Sequence, residues 1–187
     1  MGQSMKIIPT SLQDAFIIEP EPFVDERGLF IRVFCQNELQ GILKDKNIVQ
    51  INHSITRQKG TVRGMHFQYP PMSEIKMVKC LSGSIFDVMI DLRKGSHTFM
   101  KWHGEVLTAK NMKMMFIPEG FAHGFQTLEK DCEVLYLHTE FYDPEHEGGV
   151  RYNDPKINIS WPLNVTDISE KDQNYALLST DFEGLSL

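Results

Sequence analysis

A chain of 187 residues, 41% hydrophobic and 24% charged, has the composition of an ordinary globular protein and the length to bury a sizeable core in one domain, taken here as residues 1–187. Its net charge of −6 comes without a basic stripe, which argues against nucleic-acid binding, and no apolar run approaches the roughly 20 residues of a membrane span. Cys35, Cys80 and Cys132 are odd in number and form no CxxC pair, a pattern of reduced cytoplasmic thiols rather than of a disulfide framework.

In chain order, Gly2 opens a sequence like a myristoylation signal, but Lys6 stands where that signal requires Ser or Thr. From Ile7 to Phe23 mixed apolar and polar residues with Pro9, Pro20 and Pro22 predict short strands joined by turns. Asp25-Glu26-Arg27-Gly28 reads as a turn and Leu29 to Phe34 as a strand. Asn37 to Asp45 is a helical segment interrupted by Gly41. From Ile48 onward strand-like segments recur with turn signals between them, which predicts a mostly β protein. In Ser84 to Asp91, alternation places Phe86, Val88 and Ile90 on one face and Ile85, Asp87, Met89 and Asp91 on the other. In Glu133 to Glu140, Tyr136 and His138 share a face opposite Leu135 and Leu137, so the polar side can line a wet cavity. Ser169 to Leu178 reads as a short C-terminal helix. Antiparallel strands of this kind can close as a double-sheet jelly roll.

Two stretches carry chemistry. Arg63-Gly64-Met65-His66-Phe67-Gln68 places a cation, an imidazole and an amide within six residues, and Tyr69-Pro70-Pro71 ends the strand. Alternation points Met65 and Phe67 one way and His66 and Gln68 the other, while Gly64 admits a close backbone or ligand. The histidine is thereby presented in a polar pocket with an apolar back wall, or else sits as a hydrogen-bonded barrel residue. Further on, Lys76 opens the apolar strand Lys76 to Leu81, and Ile117-Pro118-Glu119-Gly120-Phe121-Ala122-His123-Gly124-Phe125 is a tight turn holding a second histidine.

With Asp25 to Gly28, Gln50-Ile51-Asn52-His53-Ser54, Phe86-Asp87-Val88, Asp91-Leu92-Arg93, Tyr136, Trp161-Pro162 and Ser169-Glu170-Lys171-Asp172, these stretches fall in one family's order. From about Ile17 to Asp172 the chain resembles the nucleotide-sugar 3,5-epimerases of the dTDP-rhamnose pathway, members of the cupin superfamily. The resemblance implies a cupin-type double-stranded β-helix (jelly roll) with short peripheral helices. It also implies an isomerase that needs no cofactor, converting dTDP-4-dehydro-6-deoxy-D-glucose to dTDP-4-dehydro-L-rhamnose. Hydrogens at C3 and C5 of a 4-keto sugar are weakly acidic, so this chemistry needs a base, a group to hold the enolate oxygen, and an acid on the opposite face. A base near neutrality suits His66. The resemblance gives Asp172 the task of steering His66, Lys76 that of holding the oxyanion, and Tyr136 that of the acid. It places His123 and Asp87 in or near the pocket, and Arg27, Gln50, Asn52 and Arg63 on diphosphate, ribose and sugar. Tyr142 is expected to stack on the base. Because the Arg27 segment of this family reaches the partner's site, a homodimer is implied.

Each residue also has a structural reading. Asp172 stands three residues after Ser169, as the acidic partner of a helix capping box does. Tyr136 can be a packed strand aromatic, Lys76 a solvated strand-edge charge and Asp87 a turn ligand. Many cupins bind a metal through a His-x-His pair, a later carboxylate and a third histidine. Pro118 to His123 matches the second half of that pattern. Gln68 breaks the first half, and neutral amides are poor ligands for zinc or iron, so the site is read as metal-independent. After Gly28 the family carries two phenylalanines, an aliphatic or aromatic residue and then Glu; here Leu29 and Arg32 take the first and last of these places. That leaves open another nucleotide such as CDP. Epimerisation at one carbon only and a non-catalytic sugar-binding cupin stay open as well.

Overall fold

The computed structural model describes residues 4–187, so Gly2 lies outside the described residues. In chain order they form β1 (Met5–Pro9), β2 (Phe16–Pro20), β3 (Phe23–Asp25), β4 (Gly28–Phe30), α1 (Gln36–Leu43), β5 (Gln50–Thr56), β6 (Val62–Gln68), β7 (Lys76–Ser82) and β8 (Ser84–Asp91). After these come β9 (Trp102–Thr108), β10 (Met114–Ile117), β11 (Phe121–Thr127), β12 (Cys132–His138), β13 (Glu147–Gly149) and α2 (Glu170–Gln173). A six-stranded antiparallel sheet has the order β1-β2-β10-β7-β12-β5, a five-stranded one the order β13-β6-β11-β8-β9, and β3-β4 is a separate hairpin. Strands neighbouring in space but distant in sequence, such as β2 beside β10 and β6 beside β11, are the crossovers of a jelly roll.

Apolar residues on both faces of the strands explain why two sheets need three apolar layers. Between the sheets lie Ile17, Val78, Ile85, Met89, Leu107, Met115, Phe121, Phe125 and Val134. Outside the six-stranded sheet, Leu39 and Leu43 of α1 cover Ile18, Met77, Phe116 and Leu137. Outside the five-stranded sheet, Met65, Phe67, Val88 and Ile90 pack under Val150, Ile157 and Leu185 from the C-terminal third. The alternation expected in β8 is present, but both of its faces are buried, and Asp87 is a buried carboxylate in mid-strand, with Ser84 and Asp91 the buried polar residues at its ends.

Three elements depart from the sequence expectation. The strand expected from Leu29 to Phe34 ends at Phe30, because Arg32 turns back to pair with Glu38 on α1 and the chain leaves the hairpin. Gly41 does not stop α1, since buried Leu39 and Leu43 hold the helix on either side of it. The helix expected to reach Leu178 is a single turn, and beyond it the Leu178 amide donates to Asp154 Oδ2 at 2.6 Å.

Gly64 shows how β6 is placed. A Cβ there would lie 2.6 Å from Gly124 Cα and from the His123 carbonyl, and φ is +109°, so the β6–β11 approach requires glycine. Gly124 answers it, since a Cβ there would meet the Arg63 carbonyl at 2.5 Å. This contact lies beside the pairing of His66 with His123 across the two strands. The Gly64–Met65 and Pro70–Pro71 peptides are both cis.

Candidate active site

The two sheets part at one end around a cavity of ≈ 570 Å³. β6 and β11 of the five-stranded sheet supply Arg63, His66 and His123, while β5, β7 and β12 of the six-stranded sheet supply Gln50, Asn52, Lys76 and Tyr136. His66 and Tyr136 therefore approach the same space from opposite walls.

Asp172 fixes the histidine. Its Oδ1 lies 2.6 Å from His66 Nε2, and its Oδ2 accepts from the Gly64 amide at 3.0 Å. Burial alone would raise the Asp172 carboxyl, but the hydrogen bond and charge of His66, with the Gly64 N–H, bring it below the ordinary range. An ionised Asp172 makes Nε2 the protonated nitrogen, which leaves the lone pair of the neutral ring on Nδ1. The capping reading also holds in part. Ser169 Oγ accepts from the Asp172 amide at 3.1 Å and is a lesser influence lowering the Asp172 carboxyl, whose main hydrogen bonds run to His66 and Gly64 on β6. Behind His66 the Tyr175 ring stands edge-on at 6.1 Å, over Gly149, where a Cβ would meet it at 2.2 Å. No sequence signal marks Tyr175, a lone aromatic beyond α2.

On the opposite wall Tyr136 shares a 2.9 Å hydrogen bond with Ser54 Oγ. Burial pushes its phenol up to about 12 against that hydrogen bond, so it holds its proton through neutral pH. His123 Nε2 lies 2.7 Å from Asp87 Oδ1. Burial is the largest influence on both, raising Asp87 and lowering His123, so both shifts favour the uncharged forms. Asp87 reaches the cavity through His123; its other oxygen is buried without a hydrogen-bond partner.

Lys76 Nζ pairs with Glu74 Oε1 at 3.2 Å, so it is no solvated edge charge: both side chains are 11% exposed. Arg63 donates from Nε to Thr56 Oγ1 at 2.9 Å, bridging the sheets. Gln50 Nε2 donates to Asn52 Oδ1 at 3.3 Å and its Oε1 accepts from the Tyr142 amide at 3.2 Å, which seats the Tyr142 loop at the rim. The Tyr142 ring is exposed and its hydroxyl donates to Glu147 at 2.8 Å; Glu147 also pairs with Lys171. Arg27 lies away from this cavity. It sits at the hairpin tip, with its side chain 87% exposed and paired with Asp25.

Gln68 uses its whole amide on backbone. Nε2 donates to the Met72 and Phe141 carbonyls and Oε1 accepts from the Asp143 amide at 2.7 Å, so it ties together the two loops beside the site. Glu119, the carboxylate of the metal-like pattern, pairs with Lys46 at 2.9 Å instead of joining His123. Among the described residues no group of three or more His, Cys, Asp or Glu is arranged to hold a metal.

Glu74, His138, Glu147 and Lys171 also line the cavity, and the sequence motifs give none of them a role. Strand alternation marks one of them, His138, which shares the face of Tyr136; Glu74 lies just ahead of β7.

The profile of the dTDP-4-dehydrorhamnose 3,5-epimerase family matches residues 9–180. A dTDP-4-dehydrorhamnose 3,5-epimerase of Methanothermobacter thermautotrophicus is 45% identical over 173 residues, covering 91% of this chain and 92% of that protein. The crystal structure of the Bacillus anthracis dTDP-4-dehydrorhamnose 3,5-epimerase, with TDP and PPi bound, superposes with a TM-score of 0.90 at 39% identity, covering 94% of this chain and 100% of that one. The Legionella pneumophila dTDP-6-deoxy-D-glucose-3,5-epimerase, in complex with dTDP-4-keto-L-rhamnose, gives 0.89 at 36% identity over 98% and 99%. The double-sheet architecture is thus the cupin-type jelly roll.

Proposed function

Because this chain belongs to the dTDP-4-dehydrorhamnose 3,5-epimerase family, we propose that its cavity epimerises dTDP-4-dehydro-6-deoxy-D-glucose at C3 and C5. The observation that carries the reading is a histidine steered by a buried carboxylate on one wall and a partly buried tyrosine hydroxyl, hydrogen-bonded to Ser54, on the other. His66 Nδ1 takes the proton from the carbon beside the ketone, and the electron pair of that C–H bond moves into the enolate. Asp172 stabilises the imidazolium that results. Lys76 faces the developing oxyanion with a charge that is in place before the reaction. Tyr136 then returns a proton to the other face of the carbon, which inverts it; the imidazolium gives its proton to solvent and the tyrosinate takes one back, and the same sequence at the second carbon completes the conversion. His123, backed by Asp87, adds a neutral hydrogen-bonding group to the same wall as His66.

Arg63, Gln50 and Asn52 are the groups for diphosphate, ribose and sugar, and Tyr142 at the rim is the aromatic for the base. Arg32, engaged by Glu38, is turned toward α1, so the departure from the family at this position does not put a new cation into the cavity. Arg27 reaches a site only in a second copy of the chain. Exposed Val24 and Leu29 on the hairpin, with Ile51 and Ile55 on edge strand β5, support a homodimer in which Arg27 completes the partner's cavity. Three free cysteines support a cytoplasmic location.

The test is conversion of dTDP- and CDP-linked 4-keto-6-deoxyglucose by the purified chain, followed by proton NMR. Turnover of the dTDP sugar to the L-configured product is expected. Binding of the dTDP sugar without turnover supports a non-catalytic sugar-binding cupin, and preference for the CDP sugar overturns the nucleotide assignment.

A further inference from the structure

We propose that Glu74 is a positioning residue for the epimerisation, its carboxylate clamping Lys76 and His138 so that the ammonium and the wall behind Tyr136 are held as one unit. This deepens the proposed function and rests on the reading of Lys76 as the group that holds the enolate oxygen.

Glu74 Oε1 lies 3.2 Å from Lys76 Nζ, and Oε2 accepts from His138 Nδ1 at 2.6 Å, with all three side chains only 10–11% exposed. The backbone makes this clamp rigid. Lys76 and His138 are directly opposed across β7 and β12, and Glu74 stands two residues before Lys76, just ahead of β7. Between them Ile75 is fixed on both sides: its amide donates to Thr139 Oγ1 at 2.8 Å and its carbonyl accepts from the Thr139 amide at 3.1 Å. The carboxylate has little freedom to swing away.

Each contact passes orientation to a group that meets the sugar. A lysine ammonium ends a flexible stem with three rotatable donors, and a cation stabilises a developing oxyanion best when its place is fixed beforehand. On the other side, an Nδ1–H given to Glu74 leaves the His138 lone pair on Nε2, 3.4 Å from Asn52 Nδ2, so it accepts from that amide. The His138 ring is also stacked on Tyr136, with centroids 6.2 Å apart and planes 21° apart. One carboxylate thus orders the enolate-holding cation, a sugar-binding amide and the backing of the acid.

The experiment is a double-mutant cycle on Glu74→Gln and Lys76→Ala, reading kcat and KM for the dTDP-4-keto sugar, the Kd for dTDP and the thermal midpoint. We expect Glu74→Gln to lower kcat by about 10- to 100-fold with KM and Kd changed less than about threefold. In the Lys76→Ala background the same change should cost less than about threefold more, because the residue it positions is gone. Glu74→Asp, which keeps the charge but retracts it by one methylene, is the second variant should the Gln form not fold, and a kcat loss of about 3- to 10-fold is expected. Wild-type kcat in a folded Gln or Asp variant, or a double mutant showing the full product of the two losses, overturns the proposal. Wild-type kcat in Lys76→Ala instead overturns the reading on which it rests.

Discussion

Replacing Asp172 by Asn changes few atoms and should disable the base. The carboxylate accepts two hydrogen bonds at once, from His66 Nε2 at 2.6 Å and from the Gly64 amide at 3.0 Å. An amide has one oxygen for these two donors. If that oxygen takes the Gly64 N–H, the NH2 donates to Nε2 and forces the ring proton onto Nδ1, the nitrogen that must be bare to attack C–H. If it takes His66 instead, two N–H groups oppose each other at a buried site, and the imidazolium still loses the negative charge that stabilised it. A histidine base contributes about 10²- to 10⁴-fold, and losing the tautomer removes most of that. A fall in kcat of about 10³-fold, or about 4 kcal/mol of transition-state stabilisation, should follow. The assay is single-turnover epimerisation monitored by NMR, with dTDP affinity measured alongside and expected within about twofold of wild type. A folded Asn variant retaining more than about a tenth of wild-type kcat would refute the tautomer argument.

Other changes separate the remaining roles. His66→Ala should lower kcat by at least about 10²-fold while the dTDP Kd stays within about twofold; binding and turnover falling together would reassign His66 to substrate binding. Tyr136→Phe should leave His66 able to exchange substrate hydrogens with solvent deuterium while inverted product falls by about 10²-fold, and loss of exchange along with product would contradict an acid role. Gly64→Ala places a Cβ against backbone at 2.6 Å with φ at +109°, so it should cost about 2–3 kcal/mol and lower the Tm by about 4–12 °C; an unchanged Tm would mean that the β6–β11 contact yields. For Glu74, burial would raise the carboxyl, but the Lys76 charge and the His138 hydrogen bond lower it from 4.5 to about 2. A folded pKa below the unfolded one gives stability that is present above about pH 4.5 and lost as pH falls toward about 2, on the order of 3 kcal/mol. The stability difference between wild type and Glu74→Gln should therefore shrink over that window, and a pH-independent difference in urea titrations would contradict this.

Much of the site is legible in the sequence because it lies on strands, where alternation fixes a face. His66 and Gln68 opposite Met65, and Tyr136 with His138 opposite Leu137, are placed as the period of two requires, while Phe67 packs in the outer layer and also borders the cavity. Gly64 is readable as a close approach, although the partner, Gly124, belongs to a strand some sixty positions away that no local pattern connects to it. Where side chains and not strands decide, the sequence says less. The strand after Gly28 reads too long because local propensity is silent about the Arg32–Glu38 pair, and the last helix because it is silent about the pull of Asp154 on Leu178. Gln68 reads as a failed metal ligand, but its amide is occupied by three backbone groups of loops that come together only in the fold. Glu74 is hidden for a different reason. It lies just ahead of β7, where strand alternation assigns no face, and the pattern that marks Lys76 begins after it.

The central claim is that one imidazole removes hydrogen from both carbons flanking the ketone. Proton NMR of dTDP-4-keto-6-deoxyglucose in deuterated buffer tests it most directly, comparing wild type with His66→Ala. Deuterium should enter the product at C3 and C5 with wild type and at neither position with the variant. Label at a single carbon with wild type, or undiminished label at either carbon with His66→Ala, would contradict the account.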